Sequence, residues 1–258
     1  METPLTGEFK PEVRILPNLE VLSREAAAIY LRLSEKCISS KGRFVVALSG
    51  GSTPRRFYSL LSEVPYRDQV DWRRVHFFWA DERCVPKEDE ASNFKLAFDA
   101  FLSKVPVPEG NLHRIRGEKE PAEGAEGYEK EIGAFFGREG SPVFDLILLG
   151  VGEDGHTASL FPDSNALRET NRLVIPVYLR RPGFDRVTLS LPVLNQADHV
   201  LFLVSGRSKA AIVREILGEG AKRKSYPAGL VQPVKGRVTW LIDEEAASEL
   251  KGAHSPLF

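Results

Sequence analysis

The 258-residue chain lacks the marks of several protein classes. Its only two cysteines, Cys37 and Cys84, are too few for a disulfide framework and suit a reducing cytosol, so a cytoplasmic protein is expected. Five scattered histidines and two distant cysteines show no ligand spacing, and no metal site is expected. The 35 lysines and arginines nearly balance 36 acids, so the net charge of -1 leaves no footprint for nucleic acid or an anionic membrane. No apolar run approaches a membrane span, and the opening METPLTGEFK carries no apolar leader core. The phosphate-loop pattern G-x-x-x-x-G-K-[ST] is missing, as is the G-x-S-x-G elbow of serine hydrolases. Any anionic ligand must therefore be held by cations placed locally beside loops.

What is present reads as an α/β protein. Short β-branched or aromatic runs recur at 43–49, 74–80, 143–151, 173–178, 199–205 and 237–243, each bounded by Gly, Pro or Asp. Those at 43, 143 and 199 are apolar almost throughout, as central parallel strands covered on both faces must be. Between them lie helical patterns at 19–40, 92–102 and 207–217, with Ser23 and Glu25 near the start of the first, Ser92 capping the second and Gly218 closing the third. The Gly/Glu-rich stretch 117–127 reads as a solvated helix start. This alternation predicts one Rossmann-like three-layer sandwich with a mostly parallel central sheet, spanning 1–258 as a single domain. Ligands in such sheets sit beyond the carboxyl ends of strands, which directs attention to the loops after residues 48, 80, 151 and 205.

The first loop, in ALSGGSTPRRFYSLL, ends a buried strand at Leu48 and starts a helix near Pro54. Gly50 and Gly51 let the backbone turn tightly, and the helix start at Ser52 and Thr53 presents amides to an anion; a plain capped turn is the alternative. The second, FFWADERCVP, crowds Asp81, Glu82 and Arg83 at a strand end, either as surface charges that cancel or as reacting groups. Cys84 beside them reads as a small filler rather than a reactive thiol.

The third loop is LILLGVGEDGHTASLFP, in which Gly150-x-Gly152-x-x-Gly155 spells a dinucleotide fingerprint after an apolar run. Three features argue against that use. Glu153 and Asp154 occupy the turn that should receive a pyrophosphate, the following helix meets Pro162 too early, and the next strand ends in Leu179-Arg180-Arg181 instead of an acid. The arginine pair leaves an NADP reading open. The glycines are better explained as exposing Asp154 and His156 together, an imidazole with a carboxylate to orient it. Arg186, within RVTLSLPVLN, and Lys209, at a helix start after a buried strand, complete the candidates; plain surface charge is the alternative for either, and Lys209 is the better placed.

Taken together, ALSGGSTPRRFY, WADERCVP with SNFKLAFDAFL, DLILLGVGEDGHTASLFP, RVTLSLPVLN and LVSGRSKA resemble the 6-phosphogluconolactonase family, in the superfamily that includes glucosamine-6-phosphate deaminase/isomerase. They stand in that family's order and span about 40 to 215. The resemblance implies hydrolysis of 6-phospho-D-glucono-1,5-lactone to 6-phosphogluconate, in the oxidative pentose phosphate pathway and without a cofactor. By the same resemblance Ser49, Gly50, Gly51, Ser52, Thr53, Arg186 and Lys209 hold the sugar phosphate. His156, steered by Asp154, is the base for water; Arg83 faces the lactone or its developing charge; Asp81 stands where the deaminases keep a catalytic carboxylate. The rival within the superfamily is deamination and isomerisation. Against it, Ser159-Leu160-Phe161-Pro162 is apolar where the deaminases keep an Asn-Glu pair, and Arg83 replaces an aromatic. A sugar-phosphate sensor without turnover is the remaining alternative. The expected partner is a small sugar-phosphate lactone, with no nucleic acid and no membrane; no oligomeric state follows from the sequence.

Overall fold

The structure is a computed structural model that describes residues 10–137, 142–179 and 183–250. In chain order it contains β1 (Glu12–Leu16), α1 (Leu19–Lys41), β2 (Phe44–Leu48), α2 (Ser52–Leu61), β3 (Val75–Trp79), β4 (Asp81–Arg83), α3 (Asn93–Ala100) and α4 (Pro121–Phe136). There follow β5 (Leu146–Leu149), β6 (Val174–Val177), β7 (Arg186–Leu189), α5 (Leu191–Leu194), β8 (His199–Val204), α6 (Ala210–Leu217) and β9 (Arg237–Asp243). Six strands form one sheet in the order β1-β9-β8-β5-β2-β3, with every pairing parallel.

Every residue of β2, β5 and β8 is buried, which requires cover on both faces and explains why these runs lack alternation. Helices supply that cover. On α1, Leu22, Ala26, Ile29, Tyr30, Leu33 and Cys37 recur at three- and four-residue steps and turn one stripe inward. Its cap is Asn18, whose side chain accepts the Val21 amide, while Ser23, inside the helix, bonds its hydroxyl back to the Leu19 carbonyl. The α/β sandwich is therefore as expected, and a mostly parallel sheet is found.

Strand order sets the place of the site. From β2 the chain moves outward to β3, then crosses to the other side of β2 for β5, β8 and β9. The order reverses between β2 and β5, and a crevice opens beyond their carboxyl ends. The loops after both strands, Ser49–Thr53 and Gly150–His156, flank it.

Several expectations need correction. The Asp81-Glu82-Arg83 stretch is a short strand and not a loop: it pairs antiparallel with β7, which pairs with β6 in a separate three-stranded sheet. The 173–178 run thus leaves the parallel sheet. No helix follows Gly155; His156–Phe161 run in turns, and the next helical residues are the single 3-10 turn Asn165–Arg168. Arg207–Lys209 is likewise a 3-10 turn, with α6 starting at Ala210. Arg180 and Arg181, on which the NADP reading depended, lie outside the described residues. Among the described residues no helix is long and apolar enough to cross a membrane.

Candidate active site

The glycine loop begins where the aromatic core ends. Tyr58, fully buried on α2, reaches back to the end of β2, where its hydroxyl accepts the Ser49 amide at 3.1 Å and donates to the Ser49 carbonyl at 2.7 Å. This clamp fixes the start of the loop. Gly51 then caps α2 with no side-chain acceptor, so the first amides of a ten-residue helix stay open to an anion in front of them.

The third loop is shaped by contact more than by dihedral freedom. A Cβ on Gly152 would lie 2.0 Å from His156 Nδ1 and 2.6 Å from Asp154 Oδ1, so only glycine lets both side chains fold over this position. Gly155 adopts φ +81 and lies under the Tyr226 ring, which a Cβ would meet at 2.5 Å. Gly150 has nothing within 4 Å of a built Cβ, so of the three glycines it is not needed for this turn. The result is an oriented imidazole. Asp154 Oδ1 lies 2.5 Å from His156 Nδ1 and also accepts the His156 amide at 3.1 Å. Nε2 is left without a protein partner among the described residues. Phe161 packs on the same ring with centroids 4.7 Å apart.

The acids at β4 divide sharply. Glu82, 3% exposed, is consumed by structure: its carboxylate accepts the amides of Arg83, Asn93 and Phe94 and the Ser92 hydroxyl, pinning the start of α3. Burial pushes its carboxyl above the usual value, against the hydrogen bonds from the three backbone amides. Asp81 faces the cleft, accepting the Ser159 hydroxyl at 2.7 Å and the Asn93 amide nitrogen at 3.2 Å. Burial pushes the neighbouring Cys84 thiol up to about 11, which keeps it protonated at neutral pH and fits a filler.

Three cations converge. Arg83 and Arg186 are direct partners across the β4–β7 pair, so their side chains leave the same face of the small sheet. Burial lowers the Arg186 guanidinium from its ordinary value, and the Arg83 charge lowers it further. Like charges placed opposite each other are unfavourable unless an anion lies between them. Lys209 forms no ion pair among the described residues; it is carried by the turn after β8, where Asp243 accepts the Gly206 amide at 3.1 Å and the Ser205 hydroxyl.

All these pieces line one cleft of about 580 Å³: Ser49, Gly50, Gly51, Ser52 and Thr53 on one wall, His156 and Phe161 on another, with Asp81, Arg83, Arg186 and Lys209 around them. That volume suits a small molecule. Asp154 stands behind the imidazole and not on the wall. The sequence reading gave no role to Asn93, Ser159, Tyr58 or Asp243; the first three bond to Arg83, Asp81 and Ser49, and Asp243 holds Ser205 and Gly206 in the turn that leads to Lys209. The signal that could have found Asn93 is the Ser92 cap, which places it first in α3. Among the described residues no group of three or more His, Cys, Asp or Glu is placed to hold a metal ion.

An α/β protein with a cation-lined small-molecule cleft where the strand order reverses is what this fold and site describe. A family profile described as glucosamine-6-phosphate isomerases/6-phosphogluconolactonase matches residues 17–240. A 6-phosphogluconolactonase of Synechocystis is 38% identical over 244 residues, covering 93% of this chain and 99% of that protein. The 6-phosphogluconolactonase 3, chloroplastic, of Arabidopsis thaliana is 38% identical over 260 residues, covering 96% of this chain and 78% of its own length. The solved 6-phosphogluconolactonase of Trypanosoma brucei superposes with a TM-score of 0.82 at 31% identity, covering 94% of this chain and all of that one (100%). The chain belongs to the glucosamine-6-phosphate isomerase/6-phosphogluconolactonase family.

Proposed function

We propose that this protein hydrolyses 6-phospho-D-glucono-1,5-lactone to 6-phosphogluconate by general-base activation of water. The observation that carries the reading is an Asp154–His156 pair whose free Nε2 shares one cleft with Arg83, Arg186 and Lys209. The relatives' names supply the substrate, and the cleft supplies groups suited to it.

A lactone is an activated ester, so the chemistry asks for a held substrate, a positioned water, one base and donors for the oxyanion. The open amides of α2, the Ser52 and Thr53 hydroxyls, Arg186 and Lys209 hold the 6-phosphate. His156 Nε2 takes a proton as water adds to C1, and Asp154 stabilises the imidazolium through Nδ1. Arg83 faces the tetrahedral oxyanion. When C1 re-forms its carbonyl, the bond to the ring oxygen breaks and the imidazolium returns its proton to that oxygen. The product is an open-chain acid that ionises, releasing one proton per turnover. Deamination finds less support, because Ser159 and Phe161 offer no carboxylate beside the imidazole. The two unpaired cysteines suit a cytoplasmic setting.

The test offers freshly generated lactone and glucosamine 6-phosphate side by side. Proton release above the spontaneous rate from the first, with no ammonia from the second, is expected. Ammonia release without lactone turnover would transfer the chain to the sibling reaction.

A further inference from the structure

We infer that Asn93 is a positioning residue that keeps Asp81 and Arg83 as two separate charges and registers them against the glycine loop. This rests on the lactonase reading and adds to it a residue outside the groups that touch substrate. Asn93 is 1% exposed, and its main chain is fixed because Glu82 accepts its amide at 2.7 Å. Its side-chain oxygen accepts from Arg83 Nη1 at 2.6 Å. Its side-chain nitrogen donates to the Asp81 carbonyl at 2.9 Å and to Asp81 Oδ1 at 3.2 Å. The orientation of the amide is unambiguous, since a guanidinium only donates and a carboxylate only accepts.

The consequence is electrostatic. Opposite charges this close normally pair, yet among the described residues neither Asp81 nor Arg83 forms an ion pair. The amide stands between them, neutral, and satisfies one with its oxygen and the other with its nitrogen. Glu82 cannot neutralise Arg83 either, because four other donors occupy its oxygens. Arg83 therefore keeps its charge for the lactone. A second observation ties Asn93 to the phosphate side: a Cβ on Gly50 would lie 1.8 Å from Asn93 Oδ1, so the loop backbone rests directly on this amide. One side chain thus sets the distance between the phosphate end and the reacting end of the cleft.

The test is Asn93→Asp, which keeps size and shape, followed across pH beside the wild type. Ionised, the introduced carboxyl pairs with Arg83 and repels Asp81, and kcat should fall about 10²-fold, as for a misplaced reacting group, with KM changed far less. Protonated, it offers O–H to Asp81 and C=O to Arg83, restoring the pattern of the amide. The ratio of variant to wild-type kcat should then rise as pH falls. A ratio independent of pH, or a variant as active as wild type, overturns the proposal. The crystal structure of Asn93→Ala gives a readout that needs no activity: Arg83 and Asp81 should collapse into an ion pair. Side chains unmoved from their present positions overturn the proposal even if the lactone is hydrolysed. A wild-type protein inactive on the lactone instead overturns the reading on which it rests.

Discussion

Gly152→Ala is the substitution for which the structure gives the sharpest expectation. The new methyl would sit 2.0 Å from Nδ1 and 2.2 Å from Cε1 of His156, and 2.6 Å from Asp154 Oδ1. Non-bonded carbon needs roughly 3.5 Å from its neighbours, so the imidazole must retreat by about 1.5 Å and the Asp154 contact must open. A misplacement of about 1 Å costs a reacting group about 10²-fold, so kcat should fall at least that far, equivalent to about 2.7 kcal/mol of barrier. Backbone strain adds nothing, because Gly152, unlike Gly155, is outside the left-handed region that alanine resists. Gly150→Ala is the matched control, two residues away on the same cleft wall, with nothing within 4 Å of its built Cβ. Initial rates of proton release from the lactone, corrected for spontaneous opening, give kcat for both. A Gly152→Ala enzyme within twofold of wild type, or a Gly150→Ala enzyme equally impaired, would refute the claim that this turn exists to seat the imidazole.

Arg186→Ala and Lys209→Ala should each raise KM by roughly 10- to 150-fold, the worth of a charged hydrogen bond of about 1.5–3 kcal/mol, with smaller effects on kcat. Steady-state kinetics check this, and an unchanged KM in both variants removes them from the phosphate site. Tyr58→Phe leaves a buried amide and carbonyl of Ser49 without their partner and should cost about 1–3 kcal/mol of stability in urea unfolding. His199 is buried with Nδ1 unpartnered, and burial, reinforced by Arg237, pushes its imidazole down to about 4. The unfolded chain takes up that proton near 6.5, so its contribution is full above roughly pH 6.5 and is lost as pH falls toward 4, up to about 3 kcal/mol. His199→Gln should flatten the loss of stability between pH 7 and 4.5; an equal loss in both proteins would assign it elsewhere.

The parts of the fold that were legible are those whose signal is local. The runs at 44, 146 and 199 are uninterrupted because both faces are covered, and a buried strand needs no partner to declare itself. What stayed hidden depends on pairing over distance. Asp81-Glu82-Arg83 is too short and too charged to read as a strand, and only its pairing with Arg186-Val187-Thr188 makes it one. The edge strand Glu12–Leu16 is half exposed and polar at its start, so its pattern is weak. At the site, Arg186 opens β7 and reaches the cleft through its pairing with Arg83, whereas the placement of Asp81, Arg83, His156 and Lys209 past the carboxyl ends of β3, β5 and β8 was readable because α/β topology puts strand ends together. The division of labour between Asp81 and Glu82 was not, since it turns on which carboxylate meets the amides of α3. Nor was Asn93, whose place between two charges is set by three separate contacts. The G-x-G-x-x-G spacing pointed to a nucleotide turn, whereas Gly152 and Gly155 answer to His156, Asp154 and Tyr226.

The central claim is that His156, oriented by Asp154, is the base that opens the lactone. The most direct measurement is kcat for His156→Ala against wild type on fresh lactone, with the spontaneous rate subtracted and folding checked by thermal melting. A correctly folded variant should lose about 10²–10⁴-fold in kcat. Near-full activity in a folded His156→Ala protein would make the histidine structural and move the search for the base to Asp81.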